Sequence, residues 1–370
     1  MSKIKLLHIQ VLPILSGVQN VSLSILESLP PEKYEIHLIC APLPSGHSDS
    51  LIDRVLELGG TVHVLPMFKR NIGFHDFAAF WQIYRIIRKN RFDIVHTHSS
   101  KPGFLGRIAA RLAGVKKVIH TVHGFPFHVG QFWLVQRIYM LLEKLAGKAA
   151  HITTFVSEQG MTYAIKTGII SKAKARLIVN GVKSAPEPVA VATDQSKFVI
   201  GSVARFDSPK NNEITIQCAI EACNICSRLA FVFIGDGLVW EKCGKKVTES
   251  GLSERIMLTG WQDNIQTWLR KMDVFLLYSL WEGLPLSILE AMAEGLPVVA
   301  SDIRGSNELV SDETGWLVSV DKPEKLTQLL ASLPECLTDV QLKGLAAYKS
   351  VKEKYRREQA VAEYQNLYEQ

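Results

Sequence analysis

The sequence predicts an α/β protein built from two doubly wound domains that face a cleft. Strand-like apolar runs alternate with helical periodicity along the chain, which indicates β-α-β units and parallel sheets. The alternation stops between positions 182 and 197, a stretch rich in Ala, Pro and Val, and then restarts. A chain of 370 residues also exceeds what one hydrophobic core usually serves. We therefore expect two Rossmann-like domains joined by one linker, with ligands bound beyond the carboxyl ends of the strands.

The predicted domains are residues 1–182 and 183–349, followed by a helical segment at 350–370. The strands expected in the first domain are 4–11, 35–39, 62–65, 94–96, 118–121, 153–156 and 176–179. Those expected in the second domain are 198–203, 231–234, 256–258, 274–277, 298–300 and 317–318. Ser350 and Glu353 have the spacing of a capping box, so the closing helix is expected to begin there.

The composition is that of an ordinary globular protein, with 47% hydrophobic and 21% charged residues. No apolar run approaches the roughly 20 residues that a membrane-spanning helix needs. Positions 3–17 have the basic start and short apolar run of a signal peptide, but His8 and Gln10 interrupt the run, and a first β-strand is the better interpretation. One C-x-x-C pair, Cys223 and Cys226, lacks a second pair at zinc spacing, so packed cysteines in a reducing cytoplasm are expected.

Positive charge is concentrated in the first domain. Residues 1–182 hold 22 Lys and Arg against 10 Asp and Glu, whereas the rest of the chain holds 20 against 26. Such a domain would attract a phosphate-bearing acceptor or an anionic membrane surface, since each basic side chain near an acidic leaflet contributes about 1 kcal/mol. The alternative is that the Lys and Arg side chains only keep the domain surface hydrated and bind no partner. No nucleic-acid partner is expected.

The most informative motif runs from Trp281 to Glu290, directly after a stretch, 274–277, that is typical of a buried parallel strand. A strand, a glycine turn and a helix together aim free backbone N–H groups and the positive helix end at a phosphate. The residues of this turn and helix start are Gly283, Leu284, Pro285, Leu286 and Ser287. Glu282 and Glu290 would repel a phosphate and are suited instead to accept hydrogen bonds from hydroxyl groups on either side of it. Hydroxyls flanking a diphosphate are the parts of a nucleotide sugar.

Two cations follow the first strand of the second domain. Arg205 and Lys210 bracket a turn that ends at a helix start, and both suit a diphosphate, Arg as a planar fork and Lys as a compact charge. The alternative is that they form ion pairs with Asp207 or Glu213. Gly235 lies in a Gly-Asp-Gly turn after the next strand, a weak signal that gains meaning from the other motifs of the same domain.

In the first domain, Gly17 follows the first strand and precedes a helix, where a glycine lets a ligand approach the backbone closely. Histidines cluster at the ends of two strands: His96, His98, His120, His123 and His128. His123 is the one expected to touch a reacting sugar, and packed or hydrogen-bonded roles are expected for the others. A metal site is not expected, because no carboxylate or thiolate ligand stands near the histidines and no Asp-x-Asp occurs.

Together these motifs resemble the retaining glycosyltransferases of family 4, which have the two-domain GT-B fold. The resemblance covers nearly the whole chain and includes Asn180-Gly181-Val182 at the domain boundary. It implies that Glu282 faces the donor sugar, that Glu290 faces the ribose and that Arg205 and Lys210 hold the diphosphate. It further implies that His123 contacts the donor sugar, that Gly17 lies beside the phosphates and that the last helix crosses back to the first domain. Two positions depart from the pattern, because Gln19 replaces a common glutamate and Lys183 a common aspartate.

The resemblance implies an enzyme that moves a sugar, with retention, from a nucleotide-diphosphate donor to a glycan acceptor in surface polysaccharide biosynthesis. A UDP-sugar is the expected donor, and the acceptor is lipid-linked or soluble. The expected catalytic residues are His123, Glu282, Lys210 and Arg205. The nucleotide sugar is a co-substrate, and no cofactor or metal is expected. Two alternatives stay open: a sugar-nucleotide-binding subunit that depends on a partner, and a GT-B-type nucleotide-sugar epimerase.

Aromatic residues stand among basic ones in the first domain, a pattern typical of interfacial membrane binding. The aromatics are Phe74, Phe77, Phe80, Trp81 and Tyr84, and the cations are Lys69, Arg70, Arg85, Arg88, Lys89 and Arg91. The stretch from Phe125 to His128 and the pair Phe132 and Trp133 would add apolar contact. The pattern fits a cytoplasmic protein that lies peripherally on the membrane. The alternative is that these aromatics pack in the core.

Overall fold

The computed structural model describes residues 3–44, 50–127, 131–183, 185, 187–188 and 196–370. Contacts divide the chain into two compact units, one made of residues 1–180 with 358–370 and the other of residues 181–357. Most of the linker predicted between 182 and 197 lies outside the described residues, as does His128. Among the described helices, none combines the length and the apolar character needed to cross a membrane.

Within the described residues, the first unit contains a seven-stranded sheet in which neighbouring strands pair in parallel, in the order β3-β2-β1-β4-β5-β6-β7. Its strands are β1 (Ile4–Ile9), β2 (Tyr34–Cys40), β3 (Thr61–Val64), β4 (Ile94–His98), β5 (Lys117–Val122), β6 (Ile152–Phe155) and β7 (Ala175–Leu177). The strand order reverses between β1 and β4. Ligands of doubly wound sheets bind at such a switch point, beyond the carboxyl ends of the strands.

Helices cover both faces of this sheet. They are α1 (Gly17–Glu27), α2 (Leu51–Glu57), α3 (His75–Asn90), α4 (Ser100–Leu112), α5 (Trp133–Ala149), α6 (Glu158–Lys166) and, from the end of the chain, α13 (Arg357–Glu369). One hydrophobic core joins the sheet to α1, α2 and α13, and another joins it to α3 and α4. Because α4 contacts both α3 and α5, these three helices form one layer.

The second unit repeats this architecture with six parallel strands in the described residues, in the order β10-β9-β8-β11-β12-β13. The strands are β8 (Phe198–Val203), β9 (Leu229–Ile234), β10 (Ile256–Leu258), β11 (Val274–Leu277), β12 (Val298–Ser301) and β13 (Gly315–Val318). The helices are α7 (Asn212–Ile225), α8 (Trp240–Glu249), α9 (Ile265–Leu269), α10 (Leu286–Ala293), α11 (Pro323–Ser332) and α12 (Leu337–Lys354). The predicted class, two doubly wound parallel-sheet domains, is confirmed.

The capping box predicted at Ser350 and Glu353 is wrong, because both residues lie inside α12. The helix is interrupted later, where the backbone pairs with another part of the chain. The N–H of Val182 donates to the carbonyl of Tyr355 at 2.9 Å, and the N–H of Arg357 donates to the carbonyl of Val182 at 3.2 Å. This pairing occupies backbone groups at the point where α12 ends and α13 begins.

Candidate active site

The candidate site of the second unit forms at the switch point of its sheet, where β8 and β11 are neighbours. A short 3-10 turn, Ser208–Lys210, follows β8, and the loop that contains Glu282 follows β11. The two loops are joined by a backbone hydrogen bond of 2.8 Å from the N–H of Leu280 to the carbonyl of Pro209. The strand order thus brings together two motifs that lie more than seventy residues apart in the chain.

Lys210 and Glu282 form an ion pair at this junction. Lys210 Nζ donates to Glu282 Oε1 at 2.6 Å, and the hydroxyl of Ser279 donates to the same oxygen at 2.7 Å. The side chains are 17% and 11% exposed, so the pair is largely removed from water. A cation beside an acid can serve the two parts of one ligand, with the ammonium facing a phosphate and the carboxylate facing hydroxyl groups.

Arg205, the second predicted cation, pairs with Asp207 at 3.1 Å, which is one of the two ion pairs that the sequence left open. The other candidate, Glu213, pairs with Lys242 instead. The side chain of Arg205 keeps 40% of its surface exposed, so its guanidinium also reaches solvent. Its backbone carbonyl accepts a hydrogen bond of 2.8 Å from the side-chain amide of Asn212, at the start of α7.

Gly235 holds the loop after β8 in place. Its φ of +127° lies in a region that L side chains rarely adopt, and a Cβ built on it would stand 2.1 Å from the carbonyl oxygen of Ala204. In the same turn, the carbonyl of Asp236 accepts a hydrogen bond of 2.7 Å from the N–H of Phe206. Gly235, predicted to bind the donor, therefore lies where the two loops touch backbone to backbone, next to Arg205.

Gly235→Ala should lower the thermal stability of the second unit. The cost of strain at such a position is about 1–3 kcal/mol. Gly244→Ala is the matched control, because Gly244 lies inside α8 with nothing near its Cβ position, and alanine is the better helix former. Thermal unfolding should show opposite shifts for the two variants; equal shifts would contradict the supporting role of Gly235.

The helix start predicted near Leu286 is present as the first residue of α10, with Pro285 at the N-cap. The first backbone N–H groups of a helix, here those of Leu286 and Ser287, have no intrahelical acceptor and can bind an anion. Leu284 and Pro285 are buried and shape the turn. Gly283 touches the loop after β12, where Gly305 has a φ of +89° and a Cβ would meet the Gly283 carbonyl oxygen at 2.3 Å.

Glu290 lies one turn into α10 and is partly buried. Removal from water raises the pKa of its carboxyl to about 7, because burial penalises the charged form. Among the described residues, the next glutamate of this segment, Glu294, is buried too but pairs with Arg270 at 2.9 Å. A ligand that donates hydrogen bonds to Glu290 would therefore shift its carboxyl toward the charged form.

In the first unit, Gly17 is exposed at the first turn of α1. No acid stands in that turn. Gln19, which replaces the common glutamate, has a structural role, because its side-chain amide donates to the carbonyl of Leu12 at 2.9 Å and its oxygen accepts from the hydroxyl of Ser16 at 2.7 Å. This departure ties down the loop before α1 and leaves the first turn of the helix without an acidic side chain.

His123, the predicted contact to the sugar, follows β5 and is partly buried. Burial lowers the pKa of its imidazole to about 3, so the ring is neutral near pH 7. His98 lies at the end of the neighbouring strand β4, and its Nδ1 is 3.1 Å from Nε2 of His123. Of the histidines predicted to be packed or hydrogen-bonded, the described ones are so: His96 bonds Thr121 and Tyr368, His120 bonds Thr97, and His98 bonds His8.

Three buried histidines, His8, His96 and His98, place ring nitrogens within 4.8 Å of one another, close enough for a metal ion to be considered. Each of their ring nitrogens already has a hydrogen-bond partner within the protein. The group therefore forms a satisfied hydrogen-bond network. Whether the enzyme needs a metal stays a prediction.

Sequence reasoning missed the residues that position the site. Ser279 is fully buried and holds Glu282, and the Ser-x-x-Glu spacing of the two could have indicated this. Gly305 is a second such residue, and its close approach to Gly283 depends on the pairing of distant strands. His8 was treated only as an interruption of an apolar run, although it lies among the other histidines.

Two parallel-sheet α/β units, the second with a lysine–glutamate pair and a helix start at its switch point, are the features expected of a glycosyltransferase with the GT-B fold. Comparison with known proteins supports the same class. Residues 15–185 match the family model described as Glycosyltransferase Family 4, and residues 197–335 match Glycosyl transferases group 1. The chain belongs to this glycosyltransferase family, and it is a glycosyltransferase.

One relative is the UDP-Gal:alpha-D-GlcNAc-diphosphoundecaprenol alpha-1,3-galactosyltransferase of Escherichia coli, which is 38% identical over 352 residues, or 90% of this chain and 89% of the relative. Solved structures support the fold. HepE of Anabaena, in complex with UDP and glucose, is 17% identical with a TM-score of 0.80 over 99% of both chains. Sucrose-phosphate synthase of Thermosynechococcus elongatus is 17% identical with a TM-score of 0.81 over 99% of this chain and 98% of that one.

Proposed function

We propose that this enzyme transfers a hexose, with retention, from a UDP-sugar to a glycan linked to a polyprenyl diphosphate, in the assembly of a surface polysaccharide. The observation that carries the proposal is the Lys210–Glu282 pair at the switch point of the second sheet, beside the first turn of α10. The E. coli relative, a galactosyltransferase that acts on a GlcNAc-diphosphoundecaprenol, supports the donor and acceptor classes. Galactose from UDP-galactose is thus the first donor to test.

In the proposed reaction, the bond between the anomeric carbon and the diphosphate breaks, and a bond from that carbon to the acceptor oxygen forms on the same face. The proton of the acceptor hydroxyl passes to the departing phosphate oxygen, so no separate carboxylate base is required. Lys210, Arg205 and the N–H groups at the start of α10 would stabilise the charge that develops on the diphosphate. Glu282 and His123 would hold hydroxyls of the donor sugar, and Glu290 would hold the ribose.

We also propose that the reaction needs no divalent cation, because side chains and a helix end neutralise the diphosphate. Lys210 and Arg205 would supply two positive charges, which Glu282 and Asp207 balance in this structure. Gly17, at the start of α1, would add a second helix end.

The decisive experiment supplies the purified chain with UDP-galactose, UDP-glucose and UDP-N-acetylhexosamines and a synthetic polyprenyl-diphosphate-linked N-acetylglucosamine. We expect a disaccharide product from one donor, unchanged by EDTA, whose new linkage is α by NMR, as in an α-linked donor. A β-linkage would contradict retention. Donor binding without transfer would favour the partner-dependent subunit, and an epimer formed from donor alone would favour the epimerase.

A lipid-linked acceptor requires the enzyme to reach a membrane, and the layer of α3, α4 and α5 offers the surface. The outward side of α5 carries four aliphatic side chains at helical spacing: Leu134, Ile138, Leu141 and Leu145 are 45%, 50%, 56% and 48% exposed. The exposed charged residues of α5 are the cations Arg137, Lys144 and Lys148, whereas its acid, Glu143, is buried and bonded to Arg107 at 2.8 Å. We call this surface the α5 stripe.

The aromatics predicted for membrane contact divide into two groups. Phe74, Phe77 and Trp81 are exposed along one side of α3, continued by Arg85 and Arg88. Phe80 and Tyr84 pack instead against the core, and so does Phe125, while Phe127 belongs to the core. Phe132 and Trp133 are exposed at the start of α5, with the Arg137 guanidinium 5.0 Å from the centre of the Trp133 ring. Apolar sides edged by cations are typical of helices that lie in an anionic bilayer surface.

Ile138→Ser combined with Leu141→Ser should weaken binding to vesicles that contain anionic lipid by about tenfold or more, because two inserted aliphatic side chains are lost. Leu342→Ser combined with Leu345→Ser is the matched control, since these leucines are equally exposed on α12 of the other unit. Co-sedimentation with anionic and zwitterionic vesicles measures both pairs. Equal binding to the two lipids, or equal loss in the two double variants, would defeat the membrane proposal.

The cysteines support a location on the cytoplasmic face of the membrane, which is the last part of the proposal. All six are free, and Cys336 is exposed, as is usual in a reducing compartment.

A further inference from the structure

A continuous chain of hydrogen bonds connects the last helix of the protein to His123. Tyr368, near the end of α13, is buried, and its hydroxyl lies 2.9 Å from Nε2 of His8. On the other side of that ring, Nδ1 of His8 lies 3.2 Å from Nε2 of His98. Nδ1 of His98 then lies 3.1 Å from Nε2 of His123. Two imidazoles, those of His8 and His98, thus stand in series between Tyr368 and His123.

The proton positions along this chain depend on one another. Burial lowers the pKa of His8 and His123 to about 3 and that of His98 well below its usual range, so each ring is neutral near pH 7. A neutral imidazole has one nitrogen that donates and one that accepts. Each histidine in the series must therefore donate toward one neighbour and accept from the other, and the direction chosen at one end sets the tautomer at the far end.

The Tyr368 hydroxyl sets that direction through a second histidine. It lies 2.6 Å from Nδ1 of His96, closer than the 2.9 Å to His8. A hydroxyl has one proton to donate and lone pairs that accept. When Tyr368 donates to the nearer ring, His96, it accepts from Nε2–H of His8. The remaining nitrogen of His96 then donates from Nε2 to the hydroxyl of Thr121 at 2.7 Å.

The rest of the series follows from this polarity. With its proton at Nε2, His8 presents an unprotonated Nδ1, which accepts from Nε2–H of His98 and from the hydroxyl of Ser22 at 2.7 Å. His98 then accepts at Nδ1 from Nε2–H of His123. The opposite tautomer of His98 would set its Nε2 lone pair against the Nδ1 lone pair of His8. Nδ1 of His123 is left as an acceptor, suited to a hydroxyl group of a sugar.

We propose that Tyr368, His8 and His98 are positioning residues that fix the tautomer and orientation of His123 for its contact with the donor. The inference rests on the proposed function for the role of His123, but the relay itself is a property of the first unit alone. It assigns to α13 a task beyond packing, since the helix supplies the hydroxyl that sets the direction of the series.

The test compares two variants of the same helix. Tyr368→Phe removes the hydroxyl at the start of the relay. Tyr364→Phe is the matched control, because the Tyr364 hydroxyl is equally buried but bonds Thr121 and Thr154 at 3.2 and 3.4 Å, and reaches the series only indirectly, through Thr121 and His96. Long-range ¹H–¹⁵N NMR on the full chain labelled with ¹⁵N-histidine reports the tautomer of each ring, and His123→Gln identifies the signal of His123.

In the parent protein we expect His8, His98 and His123 all to carry the proton at Nε2. In Tyr368→Phe the His123 signal should shift toward a mixture of tautomers, whereas Tyr364→Phe should leave it unchanged. If Nδ1–H of His123 dominates in the parent, or if both variants leave the signal unchanged, the relay is wrong. The parent spectrum decides the question even if Tyr368→Phe does not fold.

Kinetics separate the relay from the function on which it rests. For the donor that is transferred, Tyr368→Phe should raise KM about three- to tenfold with a smaller change in kcat, the scale of one misdirected neutral hydrogen bond. Tyr364→Phe should leave KM within about twofold. Unchanged KM together with an altered His123 tautomer would contradict the catalytic consequence, while absence of transfer in the parent would contradict the proposed function and leave the NMR result standing.

Discussion

Replacing Lys210 with methionine should lower kcat/KM for sugar transfer by roughly 10²–10³-fold. Removal of one donor from a site that stabilises developing negative charge costs roughly 3–4 kcal/mol. Lys210 is the cation placed closest to Glu282, at 2.6 Å, in a region largely removed from water, where such interactions are strongest. Methionine keeps much of the apolar stem, so the comparison mainly reports the loss of the ammonium.

Two controls distinguish this role from a structural one. Lys242→Met also removes one half of an ion pair, with Glu213, but both side chains are exposed, and such pairs contribute little, so transfer should be unchanged. Glu282→Gln tests whether Lys210 merely neutralises the glutamate. If neutralisation were its whole task, the Lys210→Met, Glu282→Gln double variant would recover activity. We expect it to be at least as impaired as Lys210→Met alone, and either recovery or a loss of only a few-fold in Lys210→Met would contradict the assignment.

The strands of both sheets and the loops after β8 and β11 could be predicted from the sequence because their signals are local. An apolar run that is followed by a glycine turn and a helix indicates the end of a strand. In a parallel sheet, such strand ends lie at one edge. All the predicted strands are present, most with ends within two residues of those predicted. The positions of Lys210 and Glu282 after these two strands could be predicted for the same reason, since residue type and place in the chain are visible in the sequence.

Contacts between distant segments could not be predicted. The Lys210–Glu282 pair exists because β11 lies beside β8 in the sheet, an order that local pattern does not specify. The link from Tyr368 to His8 spans 360 positions and depends on where α13 lies against the first sheet. Such polar pairs carry no periodicity of their own, and their partners become evident only once the strand order is known.

The α5 stripe shows a different limit of prediction from the sequence. Small residues, Ala146 and Gly147, face inward near its end, while Leu141 and Leu145 face outward. A hydrophobic pattern alone would turn the leucines toward the core, because helices usually bury their apolar side. The structure instead leaves these leucines exposed, as the proposed membrane contact needs.

Glu290→Gln should stabilise the protein in mildly alkaline solution and leave it nearly unchanged in acid. The pKa of Glu290 in the folded chain, about 7, lies above its usual value of 4.5, because the folded state penalises the charged carboxylate. The native state therefore holds the proton more tightly, and the free energy of unfolding falls as pH rises from 4.5 through 7, by roughly 3 kcal/mol in all. Glutamine carries no charge and avoids this loss.

Thermal unfolding at pH 5 and pH 8 measures the effect. We expect the melting temperature of Glu290→Gln to exceed that of the parent at pH 8 and to match it at pH 5. Glu249→Gln is the control, because this residue is exposed on α8 and paired only at the surface with Lys245. A gain of equal size at both pH values, or the same gain in the control, would mean that the charge of Glu290 is not what burial penalises.

A donor whose ribose hydroxyls bind the ionised form of Glu290 should reverse this cost, since hydrogen bonds to a carboxylate favour its charged state. Affinity for UDP-galactose should then rise about tenfold between pH 6 and pH 8, as the ionised fraction of a group with a pKa near 7 rises. UDP-galactose is the suitable probe because its diphosphate, esterified at both ends, keeps its charge over this range, unlike that of UDP. In Glu290→Gln the affinity should be weaker at pH 8 and independent of pH. A pH dependence that survives in the variant would place the ribose elsewhere, because no other group assigned to the donor would then account for the titration.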